Sequence, residues 1–192
     1  MRDAPLPQPP DERTDDELMR LAVSDGRTAY EALVRRHQQR LRAYCARWCG
    51  NAVVGDDLAQ ECFVEIWRRR ASYVPQGRFK AYLFQIAANR CKNQRRAQGR
   101  ELALVSSDGG EELGPGAPSS DRFLVRERED RVQRGLSKLP EPQREAVLLR
   151  YSAELDYAEM ASLLDVSAAT LRSRVFSGLM KLRRLLRGEK KR

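Results

Sequence analysis

Histidine is nearly absent from this chain: His37 is the single one in 192 residues. One imidazole gives little basis for a His-rich metal centre, and no serine or cysteine is spaced with it as nucleophile and base would be. Cysteine is also sparse. Cys45, Cys49, Cys62 and Cys91 include no C-x-x-C pair. Cys45 and Cys49 stand one helical turn apart, which permits shared metal ligation or a redox pair; buried thiols in a reducing compartment are the other reading. A glycine-rich phosphate loop is missing. These absences speak against an enzyme, and no catalytic residue, cofactor or bound metal is expected. Long apolar runs are missing too, at the N-terminus and elsewhere, so neither a membrane span nor a signal-peptide core is expected. The expected location is the cytoplasm. No apolar–polar alternation of strand type stands out, which leaves an all-α fold.

Positive charge is what the chain has in excess. Lys and Arg number 36 against 27 Asp and Glu, a net charge of +9. Mean hydropathy is −0.66. A soluble protein with an anionic partner is implied. The excess is uneven. Residues 1–101 carry 19 basic and 13 acidic side chains, residues 102–121 carry four acids and no base, and residues 122–192 carry 17 and 10. Two basic parts are therefore joined by an acidic link. Its S-S-D-G-G-E-E-L-G-P-G-A-P-S-S-D run, from Ser106, has the composition of a flexible connector. The expected organisation is a disordered Pro-rich tail over 1–14, a helical domain over 15–98, a flexible linker over 99–121, and a second helical domain over 122–192.

The most specific local pattern lies in the second domain. Asp156 and Glu159 form a capping box at the start of D-Y-A-E-M-A-S-L-L. Asp165 suits a left-handed turn, and Ser167 caps the helix that follows. In that helix Leu171, Val175, Leu179, Leu182 and Leu186 recur at helical spacing, whereas Arg172, Arg174, Lys181, Arg183, Arg184 and Arg187 fall largely outside the stripe. This is a helix-turn-helix with a strongly basic second helix, suited to the major groove and its phosphates. Upstream, helices are expected over about Arg122–Leu139 and Gln143–Tyr151, punctuated by Pro140 and Pro142.

Four helices are expected in the first domain, over about Asp16–Ser24, Thr28–Cys49, Val54–Arg70 and Arg78–Gln98. In the second, Tyr30, Val34, His37, Leu41, Tyr44 and Trp48 form a narrow packing seam, which makes His37 structural. In the third, Leu58, Cys62, Phe63, Ile66 and Trp67 face inward. Asp57, Gln60, Glu61 and Glu65 face away, toward solvent or a basic protein surface. The fourth ends in N-R-C-K-N-Q-R-R. There Asn89, Arg90, Lys92, Asn93, Arg95 and Arg96 make a second candidate nucleic-acid surface. Arg78 and Lys80 lie beside Tyr73, Phe79 and Tyr82, a combination that can stack unpaired bases, although spacing alone assigns Phe79 to the core.

Four ordered stretches resemble one family: Asp56–Trp67, Arg78–Asn89, Leu136–Tyr151 and Ser167–Val175. Together they are similar to bacterial RNA polymerase sigma factors of the extracytoplasmic-function group. The resemblance implies an alternative sigma factor that binds core polymerase at its clamp and flap and starts transcription at chosen promoters. It implies polymerase docking through Asp57, Gln60, Glu61, Glu65 and Trp67, with Trp67 open to a purely structural role. It implies minus-ten contacts by Arg78, Lys80, Asn89, Arg90, Asn93, Arg95 and Arg96, with the Ser72–Lys80 loop capturing a flipped base. Minus-thirty-five contacts are implied for Ser167, Thr170, Arg172, Ser173, Arg174, Ser177 and Lys181. An anti-sigma protein is the further partner implied. The chain departs from the family pattern at Asn93, Asp165 and Phe176–Gly178. Two other functions stay open on the residues alone: a stand-alone helix-turn-helix regulator, and a thiol- or metal-sensing regulator.

Overall fold

A computed structural model describes residues 12–24, 26–104 and 120–188, with side chains outside the description over 98–126 and at 188. The described residues form eight α-helices and no strand. They are α1 (Asp15–Ser24), α2 (Arg27–Cys49), α3 (Ala52–Arg68), α4 (Phe79–Leu104), α5 (Ser120–Ser137), α6 (Glu141–Tyr151), α7 (Tyr157–Leu164) and α8 (Ala168–Gly188). A short 3-10 turn, Arg70–Ser72, follows α3. Several expected helix ends move by a residue or more. Helix α4 continues past Gln98 to Leu104, and α5 starts at Ser120 within the expected linker. The expected tail, apart from residues 12–14, and the linker over 105–119 lie outside the described residues.

Helices α1–α4 pack around Leu18, Leu33, Leu41, Tyr44, Leu58, Ile66, Phe79, Leu83 and Phe84, all buried. The buried face of α2 is wider than the seam its spacing suggested. Ala32, Leu33 and Cys45 are buried beside Tyr30, His37, Leu41, Tyr44 and Trp48, while Val34 is only half-buried. The α2–α3 corner is built by three residues. Gly50 ends α2 in the left-handed region at φ 74°, donating its N–H to the Ala46 carbonyl. Asn51 then caps α3 by accepting from the Val54 N–H at 3.1 Å. At Gly55 a Cβ atom would come 2.4 Å from the Ala46 nitrogen, so the helices meet where no side chain fits.

The helices α5–α8 share a core of Leu136, Leu139, Ala146, Leu148, Leu149, Leu155, Met160, Leu171 and Val175. The helix-turn-helix forms as its sequence dictates. Asp156 accepts from the Glu159 N–H and the Glu159 carboxylate accepts from the Asp156 N–H, each at 2.7 Å. Asp165 makes the turn in the left-handed region at φ 52°. Ser167 Oγ accepts from the Thr170 N–H at 3.1 Å and so begins α8. Gly178 has a packing role: its Cβ would lie 2.8 Å from Val147 Cγ2, where α8 crosses α6.

The two helical groups also pack on each other, through α2 and α4 on one side and α5, α6 and α7 on the other. Basic groups of the first meet acids and hydroxyls of the second. Lys92 Nζ lies 2.7 Å from Glu145, Arg40 2.8 Å from Glu154, and Lys80 3.5 Å from Glu159. Arg47 and Arg78 donate to the Ser152 and Ser162 hydroxyls at 3.1 and 2.9 Å. The buried Arg144 guanidinium sits 5.0 Å from the centre of the Trp48 ring.

Candidate nucleic-acid and protein interfaces

The outer face of α3 is acidic, and its partners are visible. Asp57, Gln60 and Glu61 are exposed. Glu65 is half-buried because two cations cover it, Arg90 at 2.7 Å and Arg69 at 3.0 Å. Arg90 also pairs with Glu61. The Arg90 guanidinium is held above its usual range against its own burial, because Glu65 hydrogen-bonds it and Glu61 adds charge. Arg90 therefore bridges α4 to α3, and its charge is largely spent on carboxylates. Trp67 is half-buried, tilted against Tyr30 with ring centres 5.0 Å apart and covered by Arg70 at 3.9 Å. Its visible contacts are structural.

The loop between α3 and α4 is tied down by Asp16 on α1. Its carboxylate accepts from Tyr73 Oη at 2.6 Å and from the Gly77 N–H. Burial, then the Asp16 hydrogen bond, push the Tyr73 hydroxyl well above its ordinary range, so it stays a donor. Phe79 is core, as its spacing indicated, whereas Tyr73 and Tyr82 are half-buried with ring centres 5.3 Å apart. Neighbouring Asp15 anchors His37 at 2.8 Å and also binds Arg36. Burial raises the Asp15 pKa, but the His37 and Arg36 contacts outweigh it and leave the carboxyl below its usual value. His37 is thus a buried structural residue, packed on Phe79.

The candidate nucleic-acid residues of α4 and Arg78 just before it, Arg90 aside, separate into two groups. Asn89, Asn93, Arg95 and Arg96 are exposed, and Asn89 and Asn93 line a groove of about 690 Å³ shared with Glu61, Glu65 and Tyr82. Arg78, Lys80 and Lys92 instead reach α6, α7 and the segment between them. Sequence reasoning could not separate these groups, because the distinction lies in partners more than 50 residues away.

On α8, Leu171, Val175 and Gly178 are buried, while Arg172, Ser173 and Ser177 are exposed and Arg174 and Lys181 half-exposed. Arg172 lies over the Tyr157 ring at 5.3 Å. Ser167 and Thr170 share the cap, their hydroxyls 2.9 Å apart, so both help to form the helix as well as line its outer end. Phe176 and Met180 are exposed large apolar side chains on the same helix, a feature that the basic pattern overshadowed.

Residues 33–101 match the family described as Sigma-70 region 2, and residues 129–182 match Sigma-70, region 4. The chain belongs to the extracytoplasmic-function sigma factors of the sigma-70 family. The ECF RNA polymerase sigma-E factor of Escherichia coli (strain K12) is 29% identical over 171 residues, 85% of this chain and 89% of that protein. The RNA polymerase sigma-H factor of Pseudomonas aeruginosa is 27% identical over 170 residues, 84% of this chain and 88% of that protein. Among solved structures, CnrH in complex with the cytosolic domain of CnrY has a TM-score of 0.69 at 25% identity, covering 91% of this chain and 97% of that one. The sigma factor RpoE in complex with the anti-sigma factor NepR, from Bartonella quintana, shares the fold, with a TM-score of 0.67 at 23% identity over 82% of this chain and 96% of that one. As a sigma factor, this chain directs transcription initiation. Among its described residues, no helix is long and apolar enough to cross a membrane.

Proposed function

We propose a division of labour between the two helical groups. The first docks on the clamp of core RNA polymerase through the outer face of α3 and engages the minus-ten element through α4 and the loop before it. The second reads the minus-thirty-five element as duplex, with α8 in the major groove. The segment between them passes through the nucleic-acid channel, where its acidic residues substitute for nucleic acid. The observation that carries this reading is the presence of two separate exposed polar and basic helical faces, Asn89–Arg96 and Arg172–Lys181, on one chain. A sigma factor needs two such faces; a simple duplex binder needs one. The polymerase performs the chemistry, and this chain is not an enzyme.

Within the docking face, Asp57, Gln60 and Glu61 meet a basic surface directly. Glu65 acts by holding Arg90 in place. Arg95, Arg96, Asn89 and Asn93 take phosphates and bases at the opening minus-ten element. Arg172 and Arg174 contribute most at the minus-thirty-five element, with Ser173, Ser177 and Lys181 beside them. Arg78, Lys80 and Lys92 join the minus-ten contacts only once the two groups part, since α6 and α7 hold them in the packed form. An anti-sigma protein is the expected inhibitor, acting in the cytoplasm on the faces that polymerase and promoter use.

The docking face is tested by binding of labelled protein to core polymerase. Charge reversal at Asp57 and Glu61 together should weaken binding at least tenfold, with helix content unchanged. Unaltered affinity would refute the assigned face.

A further inference from the structure

The first turn of α1 is fixed by its own chemistry. The Thr14 N–H donates to the Glu17 carboxylate at 2.7 Å, and the Glu17 N–H donates to Thr14 Oγ1 at 3.3 Å. This reciprocal cap sets the two residues between them, Asp15 and Asp16, in helical register. Consecutive side chains leave a helix about 100° apart, so the two carboxylates serve different neighbours. Asp15 binds Arg36 and His37 of α2. Asp16 turns to the loop between α3 and α4 and accepts from two donors there, Tyr73 Oη at 2.6 Å and the Gly77 N–H. Helix α1 is thereby a bracket that fastens this loop to the core helix α2.

The two donors stand at the two ends of a short apex. Val74, Pro75 and Gln76 lie between them and are exposed. Each end is held in a second way. The Tyr73 ring meets Phe79 edge-on and Tyr82 at a tilt, with centres 5.9 and 5.3 Å apart. Gly77 stands in the left-handed region at φ 69°, where a side chain would be strained although there is space for one. Hydrogen bonds to a carboxylate are roughly twice as strong as those between neutral groups. One buried carboxylate therefore grips both ends of the apex. Asp16, Tyr73 and Gly77 all belong to the first helical group, so the apex is shaped before polymerase or promoter arrives.

We propose that Asp16 is a positioning residue for base capture: by gripping Tyr73 and Gly77 it presents the Val74–Gln76 apex to one unstacked base of the minus-ten strand. Val74 and Pro75 offer apolar surface to the face of such a base, and the Gln76 amide offers donors and an acceptor to its edge. Asp16 itself does not touch DNA. A capture surface that is already shaped loses less entropy on binding than one that must order first. Asp16 therefore acts on the step in which a base leaves the stack, and duplex reading by α8 is independent of it. This role rests on the assignment of the α3–α4 loop to the minus-ten element.

The test uses holoenzyme, core polymerase with the full-length protein, on fork-junction fragments of the organism's own promoters whose minus-ten strand is single. Abasic sites are placed one at a time along that strand, and affinity is read by fluorescence anisotropy. Loss of the captured base should weaken binding by the unmutated holoenzyme about tenfold or more, the scale of one stacked base. With Asp16→Ala the same loss should cost about threefold or less, because the intact strand no longer gains its stacking contact. Asp16→Asn keeps an acceptor for the Gly77 N–H, and Tyr73→Phe keeps the ring; each should give a penalty between these two. A merely structural defect would weaken intact and abasic strands alike and preserve their ratio. A preserved ratio in Asp16→Ala overturns the proposal. If that variant fails to fold, the ratio in Tyr73→Phe decides in the same way. An unmutated holoenzyme indifferent to every abasic site overturns instead the minus-ten assignment of the loop, and the positioning role falls with it.

Discussion

Lys92, on α4, forms a 2.7 Å ion pair with Glu145, a carboxylate almost sealed between the two helical groups. One residue before Glu145, Arg144 is buried against Trp48. Removing one partner of such a pair leaves a charge in a poorly solvated place. Lys92→Ala should therefore lower stability by about 1–3 kcal/mol. Glu145→Lys should drive the groups apart. Small-angle scattering should report a larger radius of gyration for Glu145→Lys, and free protein carrying it should bind minus-ten single strands more tightly than the unmutated chain. An unchanged radius would show that this contact does not hold the packed form together.

Two glycines make a graded prediction. Alanine at Gly178 gains about 1 kcal/mol of helix propensity, yet its methyl would press on Val147, a side chain that can shift. A net loss of about 1–2 kcal/mol is expected. At Gly55 the obstacle is the Ala46 backbone, which cannot move aside without displacing α2. Gly55→Ala should cost clearly more than Gly178→Ala in urea denaturation. The reverse order would mean that the α2–α3 contact is looser than its geometry.

Loss of the Asp156 side chain removes the cap of α7 and frees Glu159, which also faces Lys80. Asp156→Ala should destabilise the protein by about 1 kcal/mol in thermal unfolding. Asp156→Ser should restore most of it.

Acid stability carries a signed expectation for Asp15. Its folded pKa is depressed by His37 and Arg36, so its contribution is present above the unfolded value and lost as pH falls through the folded one. Stability measured by urea between about pH 5 and pH 2.5 should decline with a contribution from this group. Asp15→Asn should be less stable at pH 6 and show a shallower acid limb. Parallel curves for the two proteins would contradict the assignment.

For α8, Arg172→Ala and Arg174→Ala should each weaken holoenzyme binding to a minus-thirty-five duplex. A residue that contacts only phosphate should reduce the salt slope by about one and leave sequence preference intact, whereas a base reader should relax preference at one position. Measuring the salt dependence of both variants on two sequences separates these roles.

The helices were legible because their signals are local. The Asp156–Glu159 box, the left-handed Asp165 and the Ser167 cap all act within four residues, and each formed as its chemistry requires. The acidic face of α3 was legible from helical periodicity. What the sequence concealed depends on partners far along the chain. Arg90 reads as one more cation of a basic run, but its guanidinium meets Glu61 and Glu65 on the preceding helix. Arg78 and Lys80 read as a promoter-facing pair, but in the packed form they face Ser162, Glu154 and Glu159. Gly178 reads as a weak point in a helix; it is the place where α6 comes close. The continuation of α4 to Leu104 was hidden because its last turns lack an apolar stripe strong enough to reveal them.

The most direct measurement is run-off transcription from the organism's own promoters by core polymerase with and without this protein. Defined transcripts should appear only when the protein is present, and they should be lost with Arg95→Ala combined with Arg96→Ala and with Arg172→Ala combined with Arg174→Ala. No protein-dependent start site, or starts indifferent to both pairs of substitutions, would contradict the two-face account.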